Sequence, residues 1–259
     1  MEDASWCGVG EQLRARPFPR VTTRGYYDLE TGEPLKRRRY FLYPAAAFDE
    51  MAGTPEMVVV IHGLRNDKAA AVEKFLACKQ QLLALGYDSS IIGFSYDSNV
   101  RGAHLLGHEQ RAIEVGRKIA QRCGWNLATF IADFKGRSPK TRVRLLGHSL
   151  GSEVAISTLQ HLVGHDIAVE SVHFFGASIT VESFLSLHGT IRGAVRTGIT
   201  NYYSPYDDVL LDAYNHGVVE RPLGLYGLED GPHLGYRQIQ VRPATHQFVS
   251  YLGVLESFP

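Results

Sequence analysis

Residues 142–152 read Arg142-Val143-Arg144-Leu145-Leu146-Gly147-His148-Ser149-Leu150-Gly151-Ser152. The first five residues read as a strand, and Ser152 to Leu162 reads as a helix. Between them stands G-x-S-x-G. A serine in this setting sits on a sharp turn with strained dihedrals, and the turn lifts its hydroxyl out of the sheet. Glycine is required at 147 and 151 because side chains there would strike the neighbouring strand and helix. The turn also points the Leu150 N–H, and the positive end of the following helix, at a reacting carbonyl. G-x-S-x-G alone is a weak signal and also occurs as a plain Gly-Ser turn. The strand before it and the helix after it give it weight.

Strands and helices alternate on both sides of this stretch. MVVVI, Met57 to Ile61, is a continuous apolar run, the mark of a strand buried on both faces. Asp67 to Leu85 reads as an amphipathic helix, with Ala71, Phe75, Cys78 and Leu82 on one face and Gly86 ending it. Ser90 to Tyr96 is the next strand. His108 to Phe134 is a long helical segment carrying Ile113, Ile119, Leu127 and Ile131, with Gly124 as a candidate break. Ser171 to Gly176 reads as a strand, Val181 to Leu187 as a short helix, and Ile199 to Tyr203 as a strand. Gln238 to Val241 is the last strand and His246 to Leu252 a closing helix. Near the start, Val21 to Leu29 and Arg38 to Tyr43 flank Thr31-Gly32-Glu33-Pro34, which suggests an antiparallel hairpin. The fold class expected is α/β, a doubly wound and mainly parallel sheet with that hairpin at one edge. Residues 1–19 read as an irregular segment and 20–259 as a single domain.

Composition narrows the function classes. The 259 residues contain 27 Lys+Arg and 27 Asp+Glu, so no net field draws nucleic acid or an anionic membrane. The longest apolar runs fall far below the roughly 18 residues a bilayer span needs. MEDASWCGVGEQ has no basic segment followed by an apolar one, so a cytoplasmic location is expected. Cys7, Cys78 and Cys123 form no CxxC pair, which points to reduced thiols rather than zinc or a disulfide framework. His161 and His165 lack the H-E-x-x-H pattern, so no metal is expected. The loop HGLRND has one glycine where a dinucleotide needs three, so no cofactor is expected either.

At the GHSLG elbow the chain resembles the α/β-hydrolase superfamily, in its lipase and esterase branch, over roughly residues 37–259. It is also similar to small uncharacterised prokaryotic α/β hydrolases that share HG-x-x-ND, here His62 to Asp67, and S-x-x-D-x-V-L, here Ser204 to Leu210. The resemblance implies that the residue after HG, Leu64, supplies a second oxyanion N–H beside Leu150. The HGGG form is missing, so this donor bears a side chain. His62 is then a loop-packing residue, and Asn66-Asp67 a helix N-cap. The superfamily's chain order is nucleophile, acid, base. It assigns the acid to Asp207, with Asp208 the adjacent alternative and a pair of plain capping residues the bland one. The base is then His246, just after the last strand, with His233 and His216 as alternatives. His148 packs behind the elbow.

A Ser149-His246-Asp207 triad implies a serine hydrolase that cleaves carboxylic esters through an acyl-enzyme. The expected partner is a small-molecule ester with a short to medium acyl chain. The same residues would serve a thioesterase or acyltransferase, and the fold also occurs as a binding module. Ser98 to Gln110 and Gly176 to Arg196 are candidate lid segments. Leu105, Leu106, Phe184, Leu185 and Leu187 either line an acyl pocket or belong to the core. Oligomeric state is not legible.

Overall fold

A computed structural model of the protein describes residues 17–36, 39–103, 105, 107–229 and 233–259. Of the expected irregular segment 1–19, only Pro17 to Pro19 fall among the described residues, and Arg38 and Leu106 fall outside them.

The strands are β1 (Arg20–Thr22), β2 (Phe41–Tyr43), β3 (Glu56–Ile61), β4 (Ser90–Ser95), β5 (Arg142–His148), β6 (Val169–Phe175), β7 (Val195–Tyr203) and β8 (Tyr236–Gln240). The helices are α1 (Ala45–Glu50), α2 (Lys68–Ala84), α3 (Glu109–Arg137), α4 (Gly151–Val163), α5 (Val181–Ile191), α6 (Asp208–Asn215), α7 (Leu223–Tyr226) and α8 (Phe248–Leu252). The strands form one sheet in the order β2-β1-β4-β3-β5-β6-β7-β8. All neighbours are parallel except β1 and β2. This is the doubly wound sheet expected, with its antiparallel pair at one edge.

The apolar run of β3 explains the layering. Met57, Val59 and Ile61 belong to a core with α3, α4 and α5, while Val58 and Val60 belong to a second core with α2 and α8. A strand flanked by two apolar layers has no polar face, which is why the run does not alternate. From β3 the chain steps to β4 on one side and then crosses to β5 on the other. The loops after β3 and β5 therefore diverge, leaving a crevice at the carboxyl ends of adjacent strands, the usual place for a site in such a sheet.

Several element bounds differ from the sequence reading. The hairpin strands are shorter than expected because the Asp97 carboxylate accepts the amides of Gly25, Tyr26 and Tyr27, at 2.9–3.2 Å, and draws the chain out of the ladder. α3 runs unbroken through Gly124. A Cβ at that position would lie 2.4 Å from Ser157 Cβ of α4, so the glycine serves close helix packing, not a break. α8 begins at Phe248, which leaves His246 in the preceding loop. α1 and α7 are too short to show a period and were not legible. No helix among the described residues is long and apolar enough to cross a membrane.

Candidate active site

Ser149 has φ 53°, a left-handed conformation uncommon for a residue with a side chain. Its surroundings hold it there. The Ser149 amide donates to the Phe175 carbonyl at 3.0 Å, and the Ser152 hydroxyl donates to the Ser149 carbonyl at 2.7 Å. A Cβ at Gly151 would lie 2.5 Å from the Ile61 carbonyl oxygen, and one at Gly63 would lie 2.8 Å from Ser149 Cβ. The elbow and the loop after β3 thus meet only because both positions lack side chains.

His246 reaches Ser149 from the loop before α8. Its Nε2 lies 2.9 Å from Ser149 Oγ, and its Nδ1 lies 2.7 Å from Asp207 Oδ2. A carboxylate accepts only, so Nδ1 carries the proton and Nε2 accepts from the serine hydroxyl. Asp207 is fully buried. Its Oδ1 accepts the Leu210 amide at 2.9 Å and its Oδ2 accepts the Tyr251 hydroxyl at 2.6 Å. Asp207 is therefore also the N-cap of α6, so the capping reading and the acid reading describe one side chain. Burial, and the Asp207 carboxylate it faces, push the Tyr251 phenol well up, so it remains a donor.

The backbone of His246 is held as firmly as its ring. Asp208 Oδ1 accepts the His246 amide at 3.1 Å, and His148 Nε2 donates to the His246 carbonyl at 2.8 Å. The His148 ring stacks on Phe248 at 5.1 Å. Burial, followed by the neighbouring His246, holds His148 neutral, its pKa well below the usual imidazole value. The alternative bases stand elsewhere. His233 packs against His188 with ring centroids 5.9 Å apart, and His216 caps its own helix through the Asp212 carbonyl at 2.9 Å.

The loop after β3 faces the same serine. Among the described residues, neither the Leu64 nor the Leu150 amide has an acceptor. Arg65 is in the left-handed region with φ 60°, and its amide donates to the Ser98 carbonyl at 2.9 Å. His62 Nδ1 donates to the Gly63 carbonyl at 3.0 Å, while His62 Nε2 accepts the Tyr96 amide at 3.2 Å. Asn66 clamps the loop through the Gly63 and Leu64 carbonyls at 2.9 and 2.7 Å, and Asp67 caps α2 through the Ala70 amide. Arg24 was missed by sequence reasoning. Its guanidinium donates to the Asn66 and Asp67 carbonyls at 3.1 and 2.9 Å and stands 3.3 Å from His62 Nε2. Nothing local to residue 24 signals that it ties the edge hairpin to this loop.

A cavity of about 500 Å³ opens over Ser149. Leu64, Ile113, Leu150, Leu210 and Val219 form its apolar wall, and Arg65, Lys74, Asp208 and Gln247 its polar one. Of the residues considered for an acyl pocket, the four described ones are elsewhere. Phe184 is buried against His188 and Tyr236, Leu105 and Leu185 are exposed, and Leu187 lines a separate cavity. The lining comes instead from α2, α3, α6 and the loops beside them, elements whose approach to the serine no local pattern announces. A further cavity of about 470 Å³, bordered by Arg144, His173 and Arg237, lies at the opposite ends of the strands. No cluster among the described residues is arranged to hold a metal. Cys78 and Cys123 are buried and free.

The family described as alpha/beta hydrolases of unknown function (DUF900) matches residues 49–220. A lipase-esterase related protein from Clostridium acetobutylicum has a similar structure at 9% identity, with 77% of this chain and 90% of that one covered and a TM-score of 0.42. A CIB-like hydrolase from Thermoplasma acidophilum is similar at 15% identity, over 76% and 79% of the two chains, with a TM-score of 0.38. The type II thioesterase YbtT of a yersiniabactin pathway is similar at 13% identity, over 75% and 86%, with a TM-score of 0.39. No curated protein matches the chain.

Proposed function

The chain belongs to the alpha/beta hydrolases of unknown function, and from that membership we propose that it is a serine hydrolase of small carboxylic esters. The observation that carries this reading is the unbroken chain of hydrogen bonds from Ser149 through His246 to Asp207, beside two amides without acceptors.

The chemistry follows from the geometry. A protonated serine hydroxyl is a poor nucleophile. His246 Nε2, 2.9 Å from Ser149 Oγ, removes the proton as the oxygen attacks the ester carbonyl. Asp207 fixes the tautomer and stabilises the imidazolium without taking its proton. The Leu64 and Leu150 amides bind the developing oxyanion, an effect of about 3–4 kcal/mol for each donor removed. His246 then protonates the leaving alcohol. Water repeats the cycle on the acyl-enzyme and releases the acid. A cavity of about 500 Å³ suits a short or medium acyl chain.

Labelling with a fluorophosphonate, together with a p-nitrophenyl ester series of increasing chain length, tests this. Wild-type protein is expected to label and to turn over the shorter esters, and Ser149→Ala to do neither. Folded wild-type protein that neither labels nor hydrolyses any ester would sink the proposal.

A further inference from the structure

Lys74 is the least expected member of the cavity wall. It lies on α2, three residues after Ala71 and four before Cys78, both buried on the inward face. A lysine on the flank of that stripe lines the cavity over Ser149. The side chain is half-buried, and burial lowers its pKa. Its charge is felt at His62 and at His148, both neutral rings beside the elbow. Among the described residues no carboxylate stands at ion-pair distance from Lys74, and none accepts a hydrogen bond from it. Burying a cation without a partner is costly, and chains normally supply one. Arg65 lines the same cavity, exposed, and its guanidinium also has no acceptor among the described residues. The one acid among the lining residues, Asp208, has its Oδ1 turned to the backbone, where it accepts the amides of His246 and Val209 at 3.1 and 3.0 Å. Leu64, Ile113, Leu150, Leu210 and Val219 line the cavity as well. The cavity therefore offers both greasy surface and unpaired cations around one serine.

Building on the serine-hydrolase reading, we infer that the substrate is an ester with one apolar arm and one arm ending in an anionic group, a carboxylate or phosphate, bound by Lys74 with Arg65. The unmatched ammonium is then half of an ion pair that the substrate completes. Charge selection of this kind acts in binding, so it lowers KM for the anionic ester and weakens with salt.

Two probe pairs, each differing by one carboxylate, test the inference. In p-nitrophenyl valerate and mono-p-nitrophenyl glutarate the charge differs on the acyl arm. In phenyl butyrate and 4-carboxyphenyl butyrate it differs on the leaving arm. In at least one pair the anionic ester is expected to have the higher kcat/KM, by about tenfold, the ratio falling in about 0.5 M salt. The pair that responds identifies the arm. Lys74→Met is expected to reduce that ratio about tenfold, through KM, and Lys74→Arg to retain it. A ratio at or below one in both pairs overturns the inference, as does a ratio that Lys74→Met leaves unchanged. In both cases fluorophosphonate labelling and neutral-ester turnover by the wild type would leave the hydrolase reading standing. Loss of both in the wild type would take down the hydrolase reading and this one together.

Discussion

Tyr251 shows how a single hydroxyl bears on the proposed chemistry. It donates to Asp207 Oδ2 at 2.6 Å, the same oxygen that faces His246 Nδ1. A carboxylate fixed by a second donor keeps its orientation, as an outer partner fixes a ligand in other sites. Tyr251→Phe is expected to lower kcat about threefold to tenfold with little change in KM, read from steady-state ester hydrolysis. An unchanged kcat would show that the Leu210 amide alone holds the acid. Tyr251 was visible in the sequence only as one aromatic of HQFVSYL. The candidate nucleophile, Ser149, was legible because all the requirements of its turn lie within five residues. The choice among His216, His233 and His246 rested on resemblance, since any of them can reach a serine once tertiary structure is free to place it.

At the scale of elements, the packing of α3 on α4 decides a reading that propensity got wrong. Glycine costs about 1 kcal/mol in a helix interior relative to alanine, so Gly124 looked like a break. The helix continues because Ser157 of α4 occupies the space where a side chain would stand. Gly124→Ala should therefore destabilise the protein despite its better propensity, by about 1–3 kcal/mol. Thermal or urea unfolding reads this directly, and a stabilised variant would refute the packing argument. The same limit applies to α1 and α7. Helices of one or two turns repeat the period too few times to reveal it, and packing rather than pattern forms them.

At the scale of the whole molecule, His62, His148 and His173 are buried without charge. Burial first, then the charges of Arg24, His246 and Arg144 respectively, hold His62, His148 and His173 below the ordinary value of 6.5, and His173 is lowered to about 3. The unfolded chain protonates all three near 6.5, and the native state refuses those protons. Stability is then full above that value and declines as pH falls below it, by about 1 kcal/mol per pH unit for each histidine. For His173 the decline continues down to about pH 3. Urea midpoints measured at pH 7.5 and 5.5 should show a clear drop, and a flat profile would contradict the buried neutral state. For His62 the bonding agrees with the neutral state. Its Nε2 already accepts the Tyr96 amide, so an added proton would face a donor.

What the sequence determined by itself is what repeats or completes itself within one element. The apolar run of β3, the inward stripe of α2 and the glycine-flanked elbow are local, and together they specify a doubly wound sheet with a serine at a strand end. Tertiary structure decided what joins distant parts of the chain. His246 meets Ser149 across 97 positions and Asp207 across 39. Arg24 reaches the loop of Asn66 and Asp67 from the edge hairpin, and Lys74 lines the cavity from a helix flank. Such contacts depend on the order of strands and on which faces bury together, and no period along the chain encodes that distance.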